Sequence, residues 1–443
     1  MANKYIIDGG KPLKGTINVN TAKNSAVAIL CACLLNRGVN TILAVPRIQE
    51  VERIIEILMS IGVKVTWKDK HTLIVDTRPE LKLGAIDRRA CEMTRSSLLL
   101  LGALGTRVKK YKLYRSGGCK LGARTVRPHL YALEKFGIKV VSRPKYYEIS
   151  NQPLIAPGEV VMYESGDTPT ENALLAAVLS AGTTVLKFCS SNYMVQDLCY
   201  FLQAMGAKIE GIGSTTLKIT GVKKLQPGSA YPIMPDPIEA MAWIALSITT
   251  HSRLTVANCP LDFLDLELEK LRVAGQKLII SKEKKSANGR FRVADITLVP
   301  SSLVALPDKV YGRPYPGLNI DNLPFFVPIL TQARGRTLIH DWVYENRAIY
   351  YLELQKLGAK ITLLDPHRIF VEGKTRLLPN ELMCPPAIRP AMAVLIAMLA
   401  AKGRSVLRNS YPIERGYEDL AVRLTALGAK IKTINSDPGA DKA

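Results

Sequence analysis

LTALGAKI, residues 424–431, is a short phrase with a plain physical reading. A helix carrying leucines ends at a C′ glycine, which enters the left-handed region without a Cβ penalty. The chain then leaves through a lysine and an aliphatic residue, the opening of a half-buried strand. The phrase recurs as LMSIGVKV (58–65), LEKFGIKV (133–140), LQAMGAKI (202–209), LRVAGQKL (271–278) and LQKLGAKI (354–361). Its glycines, at 62, 137, 206, 275, 358 and 428, lie 75, 69, 69, 83 and 70 residues apart. Six copies at so even a spacing make the chain six structural units.

A second element lies upstream of each phrase: an Ala/Leu-rich helix, a polar or glycine turn, then a short strand. Examples are AVAILCACLLNRGVNTI (26–42), NALLAAVLSAGTTVLKF (172–188) and PAMAVLIAMLAAKGRSVL (390–407). Helices apolar nearly all round belong inside their domain. Each unit thus carries two helices and several strands, an α/β composition. Six such units exceed one core, so the expected arrangement is two lobes of three units facing each other across a cleft. The join is expected near KLQPGSAYPIMPDP (224–237), where proline and glycine cluster. The polar residues 435–443 read as a flexible tail.

The chain carries 60 Lys+Arg against 38 Asp+Glu, a formal charge of +22, with 47% hydrophobic residues. That balance suits anionic partners: nucleic acid, acidic membrane or phosphorylated small molecules. Basic runs such as RVKKYKLYR (107–115) and KEKK (282–285) invite the first, but aromatics are only 6% and do not interleave with them. MANKYIIDGG has neither the charged nor the apolar region of a secretory leader. The longest strongly apolar run, 391–401, is too short to cross a bilayer. A cytoplasmic protein without membrane association is the expectation. Eight cysteines stand at 31, 33, 91, 119, 189, 199, 259 and 384, with no Cys-x-x-Cys among them. This spacing suits neither a zinc site nor a disulfide framework, and no metal is expected.

One cysteine stands apart. YRSGGCKLGART (114–125) sets Cys119 among glycines and the cations Arg115, Lys120 and Arg124. Such cations stabilise a thiolate. Composition alone leaves Cys119 open as nucleophile, acid or small apolar filler.

Five stretches bear on that choice: GGKPLKGTINVNTAKNSAV (9–27), GGCKLGAR (117–124), PYPGLNID (314–321), YENR (344–347) and ERGYEDL (414–420). In this order, on six such units, they resemble the enolpyruvyl transferase family, and within it the branch that acts on UDP-N-acetylglucosamine. The resemblance implies a two-domain inside-out α/β barrel of six βαβαββ-type repeats. It divides the chain into 22–234 as first lobe and 1–21 plus 235–434 as second. The implied reaction moves the enolpyruvyl group of phosphoenolpyruvate to the 3-hydroxyl of UDP-N-acetylglucosamine and releases phosphate. That is the first committed step of peptidoglycan precursor synthesis, needed for cell shape and division. Phosphoenolpyruvate is a co-substrate and no cofactor is implied. A monomer is expected.

Residue by residue, Cys119 matches the family's proton donor, which fosfomycin alkylates, and Asp321 matches the base that takes the sugar hydroxyl's proton. Lys23 and Asn24 match the phosphoenolpyruvate pair, with Lys23 also following charge as it develops. Arg124, Arg389 and Arg415 match phosphoenolpyruvate-binding arginines, whose guanidinium forks suit carboxylate and phosphate. Arg95, Arg124, Val126, Asp321, Val343 and Arg347 align with the UDP-sugar side. Without the resemblance, Asp321 in NIDNLPFF reads as an ordinary helix N-cap.

The departures gather on the nucleotide side. TVRPH (125–129) stands where the family has Pro-Val-Asp-Leu-His, retaining Val126 and His129. GDTPT (166–170) replaces Ser-Val-Gly-Ala-Thr, the diphosphate-holding segment; Ala387 replaces an Asp; LNID replaces Phe-Pro-Thr-Asp. Two other readings follow: an enolpyruvyl transferase for another nucleotide such as UMP, and a non-catalytic nucleic-acid-binding paralogue.

Overall fold

The computed structural model describes residues 3–117, 125–227 and 230–435. All six phrase glycines adopt the left-handed conformation, with φ between 84° and 97°. Each ends a helix, and five of the strands that follow begin at the phrase's lysine: Lys64–Trp67, Lys208–Glu210, Lys277–Ile280, Lys360–Asp365 and Lys430–Asn435. The sixth is Ile138–Ser142.

The Ala/Leu-rich helices are inside, as their lack of a polar face requires. All thirteen residues of Pro237–Thr249 are buried, and Ile388–Ala400 is buried through Leu399. Pro237–Thr249, Leu323–Leu330 and Ile388–Ala400 pack on one another. Lys23–Ala32, the short helices Arg95–Leu99 and Leu100–Ala103, and Asp167–Ala177 form a second such cluster.

Six small sheets of three to five strands lie around these helices, one per unit. Their strands alternate buried and exposed residues, as in Lys110–Tyr114 and Thr216–Thr220, so one face packs inward and one meets water. The arrangement is inside-out, helices within and strands without. The sheets stay separate and none closes into a barrel among the described residues.

Strand exchange joins the third unit to the first and, through the N-terminal strands, the fourth to the sixth; the first three and last three units are called lobes. Tyr231–Pro232 runs parallel to Val39–Leu43, so the last segment of the third unit completes the sheet of the first. Lys14–Asn18 runs parallel to Arg253–Pro260, completing the sheet of the fourth unit. Asn3–Gly9 lies between Gly403–Arg408 and Lys430–Asn435 in the sheet of the sixth. That strand ends where only glycine fits: a Cβ on Gly9 would stand 2.3 Å from the Met398 carbonyl oxygen. Among the described residues no helix is long and apolar enough to cross a membrane.

Candidate active site

The inner helices begin on a common cleft. Lys23 and Asp167 are the first residues of their helices, and Arg95 opens Arg95–Leu99. Opposite them, Asp236 caps Pro237–Thr249, Asp321 sits two residues before Leu323–Leu330, and Arg389 is the second residue of Ile388–Ala400. Two contacts show how closely these ends converge. The Lys23 amide donates to Asp236 Oδ2 from 3.3 Å, and Arg389 Nε stands 3.7 Å from Asp321 Oδ2. Unsatisfied amides and the aligned peptide dipoles make such a convergence favourable for anions.

Among the described residues, Lys23, Arg389 and Arg415 gather there. Removal from water pushes the Lys23 ammonium below its usual value, opposed by Glu50 and Asp321 and reinforced by Arg389 and Arg415. Arg389 is 6% exposed; burial disfavours its charge, but Tyr417, Asp321 and Asp236 hold it firmly protonated. Its Nη1 donates to the Tyr417 hydroxyl from 3.3 Å. Arg415 donates to Glu50 Oε1. Burial acts to raise the Glu50 carboxyl, but Lys23 and Arg415 prevail and keep it below the ordinary carboxylate range. Beside Lys23, Asn24 Nδ2 donates to the Tyr193 hydroxyl from 3.0 Å.

Asp321 is the carboxylate facing these cations, its side chain 27% exposed. It does not cap the helix. Asn322 takes the N-cap position, and the Asp321 amide donates to Asn319 Oδ1 from 2.9 Å. Arg347 stands behind it, 1% exposed. Its Nε and Nη2 fork onto Asp341 at 2.6 and 2.9 Å, and Nη2 also donates to the Ile320 carbonyl from 2.6 Å. Nη1 lies 3.6 Å from Asp321 Oδ1. In this arrangement Arg347 holds the Ile320–Asp321 backbone and carboxylate rather than presenting an open fork to the cleft. Val343, half-buried, lies on the connection between Ala333–His340 and Arg347.

Of the residues expected on the nucleotide side, Arg95 and Val126 lie together. Arg95 Nη2 donates to the Thr125 carbonyl from 2.9 Å, next to Val126, which caps Arg127–Lys135. His129, 1% exposed, accepts at Nδ1 from Asn172 Nδ2 (2.8 Å). Its Nε2 lies 3.4 Å from Thr168 Oγ1. The two segments TVRPH and GDTPT therefore touch. Asp167, next to Thr168, accepts from Ser190 Oγ (2.6 Å) and Asn192 Nδ2 (3.3 Å). Desolvation raises its carboxyl to about 6 despite those bonds, with Asp321 adding to the rise.

Cys119 and Arg124 lie outside the described residues. Gly117, just before them, packs where no side chain fits: a Cβ would meet the Glu92 carbonyl oxygen at 1.6 Å. Arg115, expected beside Cys119, directs Nε to the Arg143 carbonyl (2.8 Å) and Nη2 to Ser142 Oγ (3.0 Å). The seven described cysteines are buried and unbridged. Burial raises the Cys91, Cys189 and Cys384 thiols to about 12 and those of Cys31, Cys33, Cys199 and Cys259 further. None of the seven is a thiolate at neutral pH.

Sequence reading missed Glu50, Asp236 and the approach of Asn319 Nδ2 to Asn192 Oδ1 at 3.5 Å. Asp236 did carry a signal: Asp before Pro at the first helical position is an N-cap pattern. It accepts from the Ile238 and Glu239 amides at 2.8 and 3.3 Å. Arg389 acts electrostatically on the Asp236 carboxyl, lowering it against the rise that burial causes.

Residues 7–424 match the family model described as EPSP synthase (3-phosphoshikimate 1-carboxyvinyltransferase). The chain belongs to the enolpyruvyl transferase family. Its curated relatives include the UDP-N-acetylglucosamine 1-carboxyvinyltransferase of Bradyrhizobium diazoefficiens, 35% identical over 97% of this chain and 98% of that one. The enzyme of the same name from Borreliella burgdorferi is 34% identical over 98% of this chain and all of its own length. Among solved structures, the enolpyruvyl transferase NikO from Streptomyces tendae superposes with a TM-score of 0.86 at 24% identity, covering 98% of this chain and all of that one. EPSP synthase from Acinetobacter baumannii gives 0.75 at 17%, with the same coverage. These two likenesses concern the fold.

Proposed function

We propose that the cleft transfers the enolpyruvyl group of phosphoenolpyruvate to the 3-hydroxyl of UDP-N-acetylglucosamine, releasing phosphate. The observation that carries this is the gathering of Arg389 and Arg415 about Lys23 at converging helix N-termini, with the Asp321 carboxylate 3.7 Å from Arg389 and acting on Lys23. A doubly anionic donor needs the cations, and a hydroxyl nucleophile needs the base.

In this reading Asp321 takes the hydroxyl proton while the oxygen bonds to carbon 2 of phosphoenolpyruvate. Carbon 3 receives a proton, from Cys119 by the family resemblance. The carbon 2–oxygen bond to phosphate then breaks, phosphate leaves with the electron pair, and carbon 3 returns a proton to restore the double bond. Lys23, Arg389 and Arg415 stabilise the charge that builds on the phosphate and carboxylate. Every electron in these steps comes from the two substrates, so no cofactor is required. The product is a peptidoglycan precursor, and the reaction belongs in the cytoplasm.

A second reading keeps the transfer and changes the acceptor to another nucleotide. It is favoured by the contact of His129 with Thr168, which joins the two divergent segments into one patch beside the Asp167 carboxyl. Phosphate release from phosphoenolpyruvate, measured with UDP-N-acetylglucosamine, UMP and UDP-glucose in parallel, decides between them. Release with UDP-N-acetylglucosamine is expected. Release with UMP alone overturns the acceptor, and release with none overturns the transfer.

A further inference from the structure

Asp321 is tied to the opposite lobe through two asparagine side chains, one of which also caps a helix. Its amide donates to Asn319 Oδ1 from 2.9 Å. Asn319 Nδ2 in turn lies 3.5 Å from Asn192 Oδ1, at the head of the helix Tyr193–Ala204. Asn192 Nδ2 continues to Asp167 Oδ2 at 3.3 Å. One residue away, Ser191 Oγ donates to the Tyr315 carbonyl from 3.3 Å. Asn192 and Asn319 are 8% and 9% exposed, so these contacts are not in competition with bulk water.

The second-lobe end of this chain is held rigidly. The Asn319 amide donates to Glu267 Oε1 (3.1 Å), which also receives Asn322 Nδ2 (2.8 Å). The Asn322 amide closes a turn onto the Asn319 carbonyl at 2.9 Å. Asn319 is therefore fixed through its backbone, and its side-chain amide is left to join the Asp321 amide on one side with Asn192 on the other. Where the lobes part, the Asn192–Asn319 link breaks, while the bond from the Asp321 amide to Asn319 lies within one lobe.

We propose that Asn319 is a positioning residue for Asp321, and that Asn192 couples the alignment of that carboxylate to the approach of the two lobes. The proposal rests on the reading of Asp321 as the base. A base set only when the lobes meet acts on an acceptor already enclosed, and a displacement of about 1 Å at such a group costs up to about 100-fold in rate. The consequence is asymmetric: breaking the link lowers turnover and leaves phosphoenolpyruvate binding by Lys23 and Arg389 untouched.

The test uses Asn192→Ser and Asn319→Ser. Each serine keeps a local oxygen, for the Tyr193 amide or the Asp321 amide, but is too short to span the lobes. With the acceptor that supports wild-type phosphate release, each variant is expected to lower kcat about 10-fold with KM for phosphoenolpyruvate unchanged. The double variant is expected to be no slower than either single one, because one link is lost in all three. Hydrogen exchange of the peptide spanning 318–323 is expected to quicken in Asn192→Ser, a readout independent of turnover. Losses that multiply in the double variant, or unchanged exchange in Asn192→Ser, overturn the coupling. Asp321→Ala is the separate arm: wild-type turnover there overturns the base reading, whereas the exchange result judges the link by itself.

Discussion

Glu50 and Arg415 meet across the cleft, the guanidinium of one lobe donating to the carboxylate of the other while Thr94 Oγ1 donates to the second carboxylate oxygen from 2.7 Å. Glu50 is 4% exposed. It faces the Lys23 ammonium as well as Arg415, so one buried carboxylate balances two of the four cations matched to the donor. Substrate anions enter a site whose charges are already partly matched.

Glu50→Gln leaves Lys23 and Arg415 without that balance. Removing one partner of a buried ion pair costs about 3 kcal/mol or more. The thermal midpoint of the variant is expected to fall, and phosphoenolpyruvate is expected to restore more of it than it adds to the wild type, because the donor's anions replace the lost carboxylate. Equal ligand-induced shifts in the two proteins would sink the idea.

Arg347→Lys tests the support behind Asp321. A lysine ammonium cannot reproduce a fork that binds Asp341 twice and the Ile320 carbonyl once. Asp341, 1% exposed and also accepting from the Tyr351 hydroxyl at 2.5 Å, is then undercompensated. The expected loss is about 2–4 kcal/mol in urea unfolding, together with reduced kcat because Ile320 precedes Asp321. A variant within about 0.5 kcal/mol of wild type would show that the fork is dispensable.

The six-unit frame was legible because its signals are local. A glycine that must reach φ near 90° and the lysine that opens the next strand sit within three residues of each other, so both survive in the linear pattern. The all-apolar helices were legible for the same reason: burial on every side leaves no polar period to find. Glu50 was not legible, since it sits in an amphipathic helix as one more acidic residue and its partner Arg415 is 365 positions away. Asn192 and Asn319, 127 positions apart, acquire meaning only when two loops are brought together. The N-terminal strands needed the family resemblance: nothing in residues 3–18 states that they complete sheets of the fourth and sixth units. Asp321 was placed in the cleft by resemblance, whereas its local pattern suggested a cap that Asn322 occupies instead.

The cysteines give a prediction that depends on burial alone for seven of the eight. With those seven thiols raised to about 12 or beyond, a thiol-directed electrophile has no thiolate to attack among them at pH 7. Native protein treated with fosfomycin and acceptor is expected to gain one adduct by intact mass, at Cys119. Cys119→Asp is expected to gain none and to retain measurable turnover, a carboxylic acid also being able to donate a proton. Adduct formation in Cys119→Asp would assign the drug's target to another residue.

Asp167 is expected to give the cleft a pH dependence on the side proposed for the acceptor. Desolvation is the largest influence on its carboxyl and raises it to about 6, so Asp167 is largely neutral below that pH and an anion above it. Its segment, GDTPT, stands where the family resemblance puts the acceptor's diphosphate. A carboxylate there repels a diphosphate, whereas a carboxylic acid donates a hydrogen bond to it. KM for UDP-N-acetylglucosamine is therefore expected to rise as pH increases from 5.5 to 7.5, roughly spanning that pKa, while KM for phosphoenolpyruvate follows a different course. Asp167→Asn removes the charge and keeps the shape, so its acceptor KM is expected to be lower than wild type at pH 7.5 and nearly flat through the same range. A steep acceptor KM profile that persists in Asp167→Asn would assign the ionisation to another group, and an unchanged KM at pH 7.5 would place the diphosphate away from Asp167.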